Sequence, residues 1–154
     1  MFHIVLLSPK IPQNTGSIGR SCVCTGSALH VIGPTPIDFD EKRLRRAGMD
    51  YWQALSFNFY EDIESFLARH PITDRHFFLT TKTDRLYFEA ELKCGDFFWF
   101  GSEDTGLPAE ILAQHPDQCL TLPMKSGFRS LNLASTATPV LYEGVRQNYA
   151  DFLR

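Results

Sequence analysis

The chain has 154 residues, 44% of them hydrophobic and 21% charged, and a formal net charge of −3. That length and balance describe one ordinary globular domain and exclude a disordered chain. Taken as a sum, the negative charge also argues against a phosphate-rich partner, which usually draws a basic footprint. The four cysteines, at 22, 24, 94 and 119, form no C-x-x-C pair, so zinc-site spacing is absent and no metal is expected. Free thiols in a reducing cytoplasm are expected instead. No apolar run approaches the ~18 residues of a membrane span. Pro9 and Lys10 interrupt the short apolar start, so no signal peptide is expected.

Residues 2–7 (FHIVLL) are an apolar run short enough for a buried strand. Pro9 and Pro12 then enforce a loop, and Asn14 is a candidate cap for a helix that runs to about Thr25 and stops at Gly26. Residues 28–32 (ALHVI) read as a second strand, closed by Gly33-Pro34. The charged stretch from Asp40 to Gly48 reads as a short helix, and residues 60–70 (YEDIESFLARH) as another, stopped by Pro71. Residues 76–80 and 97–101 are strands with almost no polar alternation. A helix from Pro108 to His115, a strand at 119–122 and a long helix from Asn132 to about Phe152 complete the chain. Alternating strands and helices with continuous apolar strands predict an α/β domain: a mainly parallel sheet covered by helices on both faces.

In such sheets ligands sit beyond the carboxyl ends of the strands. Three unusual loops fall there. The first, IPQNTGSIGR at 11–20, is a Gly-rich entry to a helix with Arg20 on its second turn. It suits an anion, and equally a plain capped helix with a surface arginine. The second, FGSEDTGLP at 100–108, spaces Gly101 and Gly106 like a phosphate loop, but Leu107-Pro108 replaces the required Lys-Ser/Thr. Glu103 and Asp104 are adjacent, so their side chains diverge and a shared acid–base dyad is not expected. A strand-to-helix turn with a capping carboxylate is the plain alternative. The third, LPMKSGFRSLNLAS at 122–135, joins a flexible Ser126-Gly127 to Arg129, Ser130 and Asn132. Its plain alternative is a long loop with a Ser/Asn helix cap.

Separately these loops are unspecific. Together, as PQNTGSIGR at 12–20, FGSEDTGLP at 100–108 and LPM…RSLNL…LYEGVRQ at 122–147, the sequence resembles the SPOUT class of RNA methyltransferases. Within the class it is most similar to the minimal TrmL-like group, tRNA 2′-O-methyltransferases that act at wobble position 34. The segments DEKRLRRAGMDYW at 40–52 and LTTK at 79–82 share that likeness.

The resemblance implies one catalytic domain over residues 1–154 without an appended RNA-binding domain, and a deep trefoil knot in its C-terminal part. It implies S-adenosylmethionine as cofactor, held around Leu79, Gly101, Gly106, Leu122, Met124, Ser130, Leu131 and Asn132. Methyl transfer would go to the ribose at position 34 in the anticodon stem-loop of a tRNA, with leucine isoacceptors the first expectation. Another tRNA position, ribosomal RNA, or a non-catalytic knotted RNA-binding module are the alternatives. Arg20 matches the residue that similar enzymes place beside the ribose hydroxyl. A guanidinium with a pKa above ~12 is a poor base. Its expected role is to fix the neighbouring phosphate and stabilise developing alkoxide charge. Asn14, Glu103, Arg129 and Asn132 are expected to orient loops and substrate, with Glu103 paired to Arg20 or Arg129.

Similar proteins form homodimers through the first and last helices, each active site completed by the partner. Three positions depart from the family pattern. Ser102 replaces a usual proline, which predicts a softer loop. Ala134-Ser135 replaces a more polar pair, so a cofactor contact is missing or rerouted through Ser135. Pro139 either kinks the last helix or marks its true start at Thr138-Pro139. Finally, Lys42, Arg43, Arg45 and Arg46 form a run of cations in the half of the chain whose charges balance. That local patch, doubled in a dimer, is a candidate grip on RNA phosphates that the global sum conceals.

Overall fold

The computed structural model of the chain describes residues 1–40 and 50–154. The cation run at 42–46 and most of the helix expected from Asp40 to Gly48 lie outside the described residues. The strands among the described residues are β1 (His3–Leu7), β2 (Ala28–Ile32), β3 (Ser56–Tyr60), β4 (His76–Leu79), β5 (Phe97–Phe100) and β6 (Cys119–Leu120). They form one parallel sheet in the order β3-β2-β1-β5-β4-β6. The helices are α1 (Pro12–Thr25), α2 (Ile63–Leu67), α3 (Ala109–Gln114), α4 (Leu133–Gln147) and α5 (Tyr149–Phe152). A 3-10 segment covers Asp50–Ala54.

The apolar runs divide by the alternation of a pleated strand. Ile4, Leu6, Leu29, Val31, Phe98, Phe100 and Leu120 pack with Ile18 and Cys22 of α1 and Val140 and Leu141 of α4. Val5, Ile32, Phe78, Trp99 and Cys119 pack on the opposite face with Phe66 of α2 and Leu107, and with Ile111 and Leu112 of α3 at the margin. Both faces of the central strands are therefore covered.

Several boundaries differ from expectation. The chain at 56–60 is a strand that sequence reading missed. Among the described residues β3 pairs only with β2, at the sheet edge, and Phe59 stays 48% exposed, so the run lacks the continuous apolar character of its neighbours. The helix expected over 60–70 shrinks to α2, because Asp62 caps it by accepting from the Ser65 N–H at 2.8 Å. α1 starts at Pro12 rather than Asn14. Its cap residue is Ile11, and a proline at the first helical position lacks only an N–H that would be unpaired anyway. Gly26 ends α1 as predicted, with φ 63°.

α4 starts at Leu133, capped by Asn132, rather than at Thr138, and continues through Pro139. Proline deprives the Ser135 carbonyl of its partner four residues on, and Ser135 is exposed, so water can take that place. The expected continuous helix to Phe152 divides at Asn148, whose amide donates to the carbonyls of Gly144 and Leu92, each at 2.9 Å.

Candidate active site

The register of β1, β5, β4 and β6 brings the three sequence-singled loops to one edge, above the carboxyl ends of the strands. They enclose a cavity of about 430 Å³, a size typical of small-molecule sites. Leu79, Gly101, Gly106, Leu122, Met124, Ser130, Leu131 and Asn132 all line it, and so do Asn14 and Glu103. Arg20 and Arg129 are not among the lining residues; both are exposed. Ile11, Leu107, Leu133 and Thr136 also line it and were not anticipated, because nothing in their spacing marks them.

One chain of hydrogen bonds ties the loops together. Glu103 accepts from the backbone N–H groups of Lys10 at 2.8 Å and Ile11 at 3.1 Å, and from the Asn14 amide at 3.2 Å. Asn14 Oδ1 accepts from Asn132 Nδ2 at 2.8 Å. Asn132 Oδ1 in turn accepts from the N–H groups of Ala134 at 2.9 Å and Ser135 at 3.2 Å, at the start of α4. The direction of the relay is fixed from both ends. A carboxylate can only accept and backbone N–H groups can only donate, so each asparagine between them has one workable orientation.

The expected pairing of Glu103 with Arg20 or Arg129 is therefore corrected. The carboxylate stands at the amino end of α1, where orphan N–H groups and the helix dipole favour a negative charge. Burial acts to raise the Glu103 pKa, but the hydrogen bonds from Lys10, Asn14 and Ile11 outweigh it, and the carboxyl lies below its ordinary value. Asp104 diverges from Glu103, as adjacency predicts, and binds Lys10 Nζ and Ser102 Oγ. The Lys10 bond first, then that of Ser102, holds its carboxyl at about 2. Both groups are ionised at neutral pH, and neither is a proton donor.

Gly101 is required by the loop itself. A Cβ there would lie 1.9 Å from the carbonyl carbon of Gly106 and 2.2 Å from the Leu107 nitrogen. The glycine lets the loop close on itself, with Gly106 N–H donating to Ser102 O at 2.9 Å and Gly106 at φ 69°. The predicted softness at Ser102 is offset by its own bonds, to Asp104 Oδ1 at 2.9 Å and Thr105 Oγ1 at 2.6 Å.

The profile of the SpoU rRNA methylase family matches residues 1–142. The chain belongs to the SpoU rRNA methylase family. It is 42% identical over 149 residues to the tRNA (cytidine(34)-2′-O)-methyltransferase of Burkholderia cenocepacia, covering 96% of each protein. A solved structure that describes structural insights into the 2-OH methylation of C/U34 on tRNA superposes with a TM-score of 0.89 at 36% identity, over 97% of both chains. The SpoU methyltransferase AviRb from Streptomyces viridochromogenes, in complex with the cofactor AdoMet, superposes with a TM-score of 0.76 at 25% identity, over 96% of this chain and 60% of that one.

In this SpoU methylase the cavity contact once expected of Ser135 falls to Thr136, which lines the cavity while Ser135 does not. The apolar stripe of the last helix is the chain's own core: Ala137, Val140, Leu141 and Val145 are buried. What this end of the methylase leaves exposed is Tyr142, Tyr149 and Leu153. Among the described residues no His, Cys, Asp and Glu group is arranged to hold a metal ion, and no helix is long and apolar enough to cross a membrane.

Proposed function

We propose that this chain transfers a methyl group from S-adenosylmethionine to the ribose 2′-oxygen of the wobble nucleotide, position 34, in the anticodon stem-loop of a cytoplasmic tRNA, with leucine isoacceptors the first candidates. The observation that carries this reading is the cavity held by the Glu103–Asn14–Asn132 relay. The names of its relatives supply the substrate. The lining suits the cofactor. Leu79, Leu122 and Leu131 offer apolar walls for an adenine ring.

When bound, the cofactor supplies a methyl group on a sulfonium whose positive charge disappears on transfer. The chain's own task is then to place a weakly acidic ribose hydroxyl and to stabilise the charge it develops. Arg20 does this as a fixed cation and hydrogen-bond donor, holding the neighbouring phosphate and the forming alkoxide. Ser130, Met124 and Arg129 belong to the loop that closes over the substrate, and Lys42, Arg43, Arg45 and Arg46 grip phosphates farther along the RNA.

The active form is a homodimer. Arg20 does not line the cavity of its own chain, which supports a site completed by a second copy. The likeness to the family further supports a trefoil knot over the C-terminal part, where β4 lies between β5 and β6 and the chain must pass it. The test is one assay: labelled S-adenosylmethionine, total tRNA from a strain lacking this enzyme, and mapping of the 2′-O-methyl group. Label at position 34 is expected. Label only in ribosomal RNA or at another tRNA position would overturn the substrate assignment.

A further inference from the structure

We propose that Tyr51 is a positioning residue for Arg20: its ring is the platform on which the guanidinium rests, and its hydroxyl fixes the helical turn that carries it. This rests on the reading of Arg20 given above.

The Arg20 guanidinium carbon lies 4.6 Å from the centroid of the Tyr51 ring, within cation–π range. The same tyrosine donates its hydroxyl to the carbonyl of Gly16, 35 residues away in sequence. In an α-helix that carbonyl is also the acceptor for the backbone N–H of residue 20. Tyr51 thus meets Arg20 twice, under its charged end and at the turn of α1 from which it springs.

The platform is itself anchored. A Cβ on Gly19 would lie 3.2 Å from Leu55 Cδ2 and 3.3 Å from Trp52 Cζ3, so the segment after Tyr51 is seated directly on α1 at the residue before Arg20. Trp52 is 9% exposed, stacks with Phe39 and packs tilted against Phe57. An exposed arginine on a bare helix would sample many rotamers. A face and a tether reduce them, which is what a cation that acts by placement requires.

Tyr51 does not itself accept the ribose proton. Burial raises its pKa, and the opposing charge and hydrogen bond of Arg20 do not reverse that. The phenol stays protonated and serves as a ring face and a donor.

The experiment compares the full-length Tyr51→Leu, Tyr51→Phe and Tyr51→Trp variants with wild type and Arg20→Ala. Tyr51→Leu is expected to lower kcat about tenfold, the size of a partly desolvated cation–π contact, with the KM for S-adenosylmethionine unchanged. Tyr51→Phe keeps the face and loses the tether, for a fall of about threefold. Tyr51→Trp keeps a face and is expected to recover most of the rate lost in Tyr51→Leu. Independently of activity, the Arg20 Nε–H resonance is expected to be ring-current shifted in wild type and Tyr51→Phe, and to lose that shift in Tyr51→Leu.

An inactive Arg20→Ala beside a Tyr51→Leu of wild-type kcat overturns the role of Tyr51 and leaves the role of Arg20 standing. A fully active Arg20→Ala overturns the role of Arg20, and this proposal with it. A Tyr51→Leu protein that loses thermal midpoint and cofactor affinity together with kcat, and that Tyr51→Trp does not improve, shows a merely structural residue and also overturns it.

Discussion

At the carboxyl ends of β4 and β5, polar side chains meet as donor and acceptor and keep their charge; near the amino ends of the same strands the histidines lie among aromatic rings and lose it. In the first region Glu103 and Asp104 are held below their ordinary pKa values by N–H groups and an ammonium. In the second, His3 Nδ1 and His30 Nε2 are 2.9 Å apart, His30 reaches Tyr60 at 3.3 Å, and Tyr60 reaches His70 at 3.2 Å. Phe97 stacks between His3 at 4.2 Å and His76 at 4.3 Å. Burial, with the neighbouring histidines adding, pushes His30 down to about 3 and His3 and His76 down to about 4. Hydrogen bonds satisfy polar atoms at both ends. Only where the donors are backbone N–H groups or a cation does the field favour an ion. The histidine cluster is built for packing, and the loop cluster for electrostatics.

That contrast can be broken, most severely at the loop end. Arg20→Ala is expected to cut methyl transfer about 10²–10³-fold, the scale of losing one charge-stabilising donor, while calorimetric affinity for S-adenosylmethionine holds. Next, Asn14→Ala interrupts the relay between Glu103 and Asn132. It should lower stability by about 1–3 kcal/mol in urea titration, with cofactor binding weakened as the loops part. Replacing Lys42, Arg43, Arg45 and Arg46 with glutamine should weaken binding to every tRNA and flatten its salt dependence, read by filter binding across ionic strengths.

At the histidine end the handle is pH. In the unfolded chain these imidazoles titrate near 6.5, and in the folded one lower. Below 6.5 the unfolded state binds protons that the folded state refuses. Stability is therefore full above that pH and falls between 6.5 and about 3, the last part through His30. The urea midpoint should track this fall, and His30→Gln should blunt it. The smallest effect belongs to Lys10→Ala, which removes an exposed pair with Asp104 and should leave the midpoint within error.

Legibility followed the range of the interactions. β1, β2, β4 and β5 were readable because a strand buried on both faces has no polar period to disguise it. Gly26 was readable as a stop because a left-handed cap suits glycine. β3 was not, since an edge strand with an exposed Phe59 shows neither a continuous run nor a clean alternation. For the Glu103-Asp104 pair a capping carboxylate was the plain alternative, within its own loop; the expected partner of Glu103 was an arginine. Glu103 caps a helix 92 and 93 residues away, which no local pattern reports.

By itself, then, the sequence determined the layered parallel sheet, the three loops at its edge and the family they resemble, because apolar runs and glycine positions act over a few residues. Tertiary structure alone decided the partners. Asn14 and Asn132 are 118 residues apart and meet only because α1 and α4 pack side by side on one face of the sheet. Tyr51 finds Arg20 only because α1 and the 50–54 segment share one face. Charge, orientation and placement at a site are properties of neighbours in space, and a parallel sheet chooses those neighbours without regard to their distance along the chain.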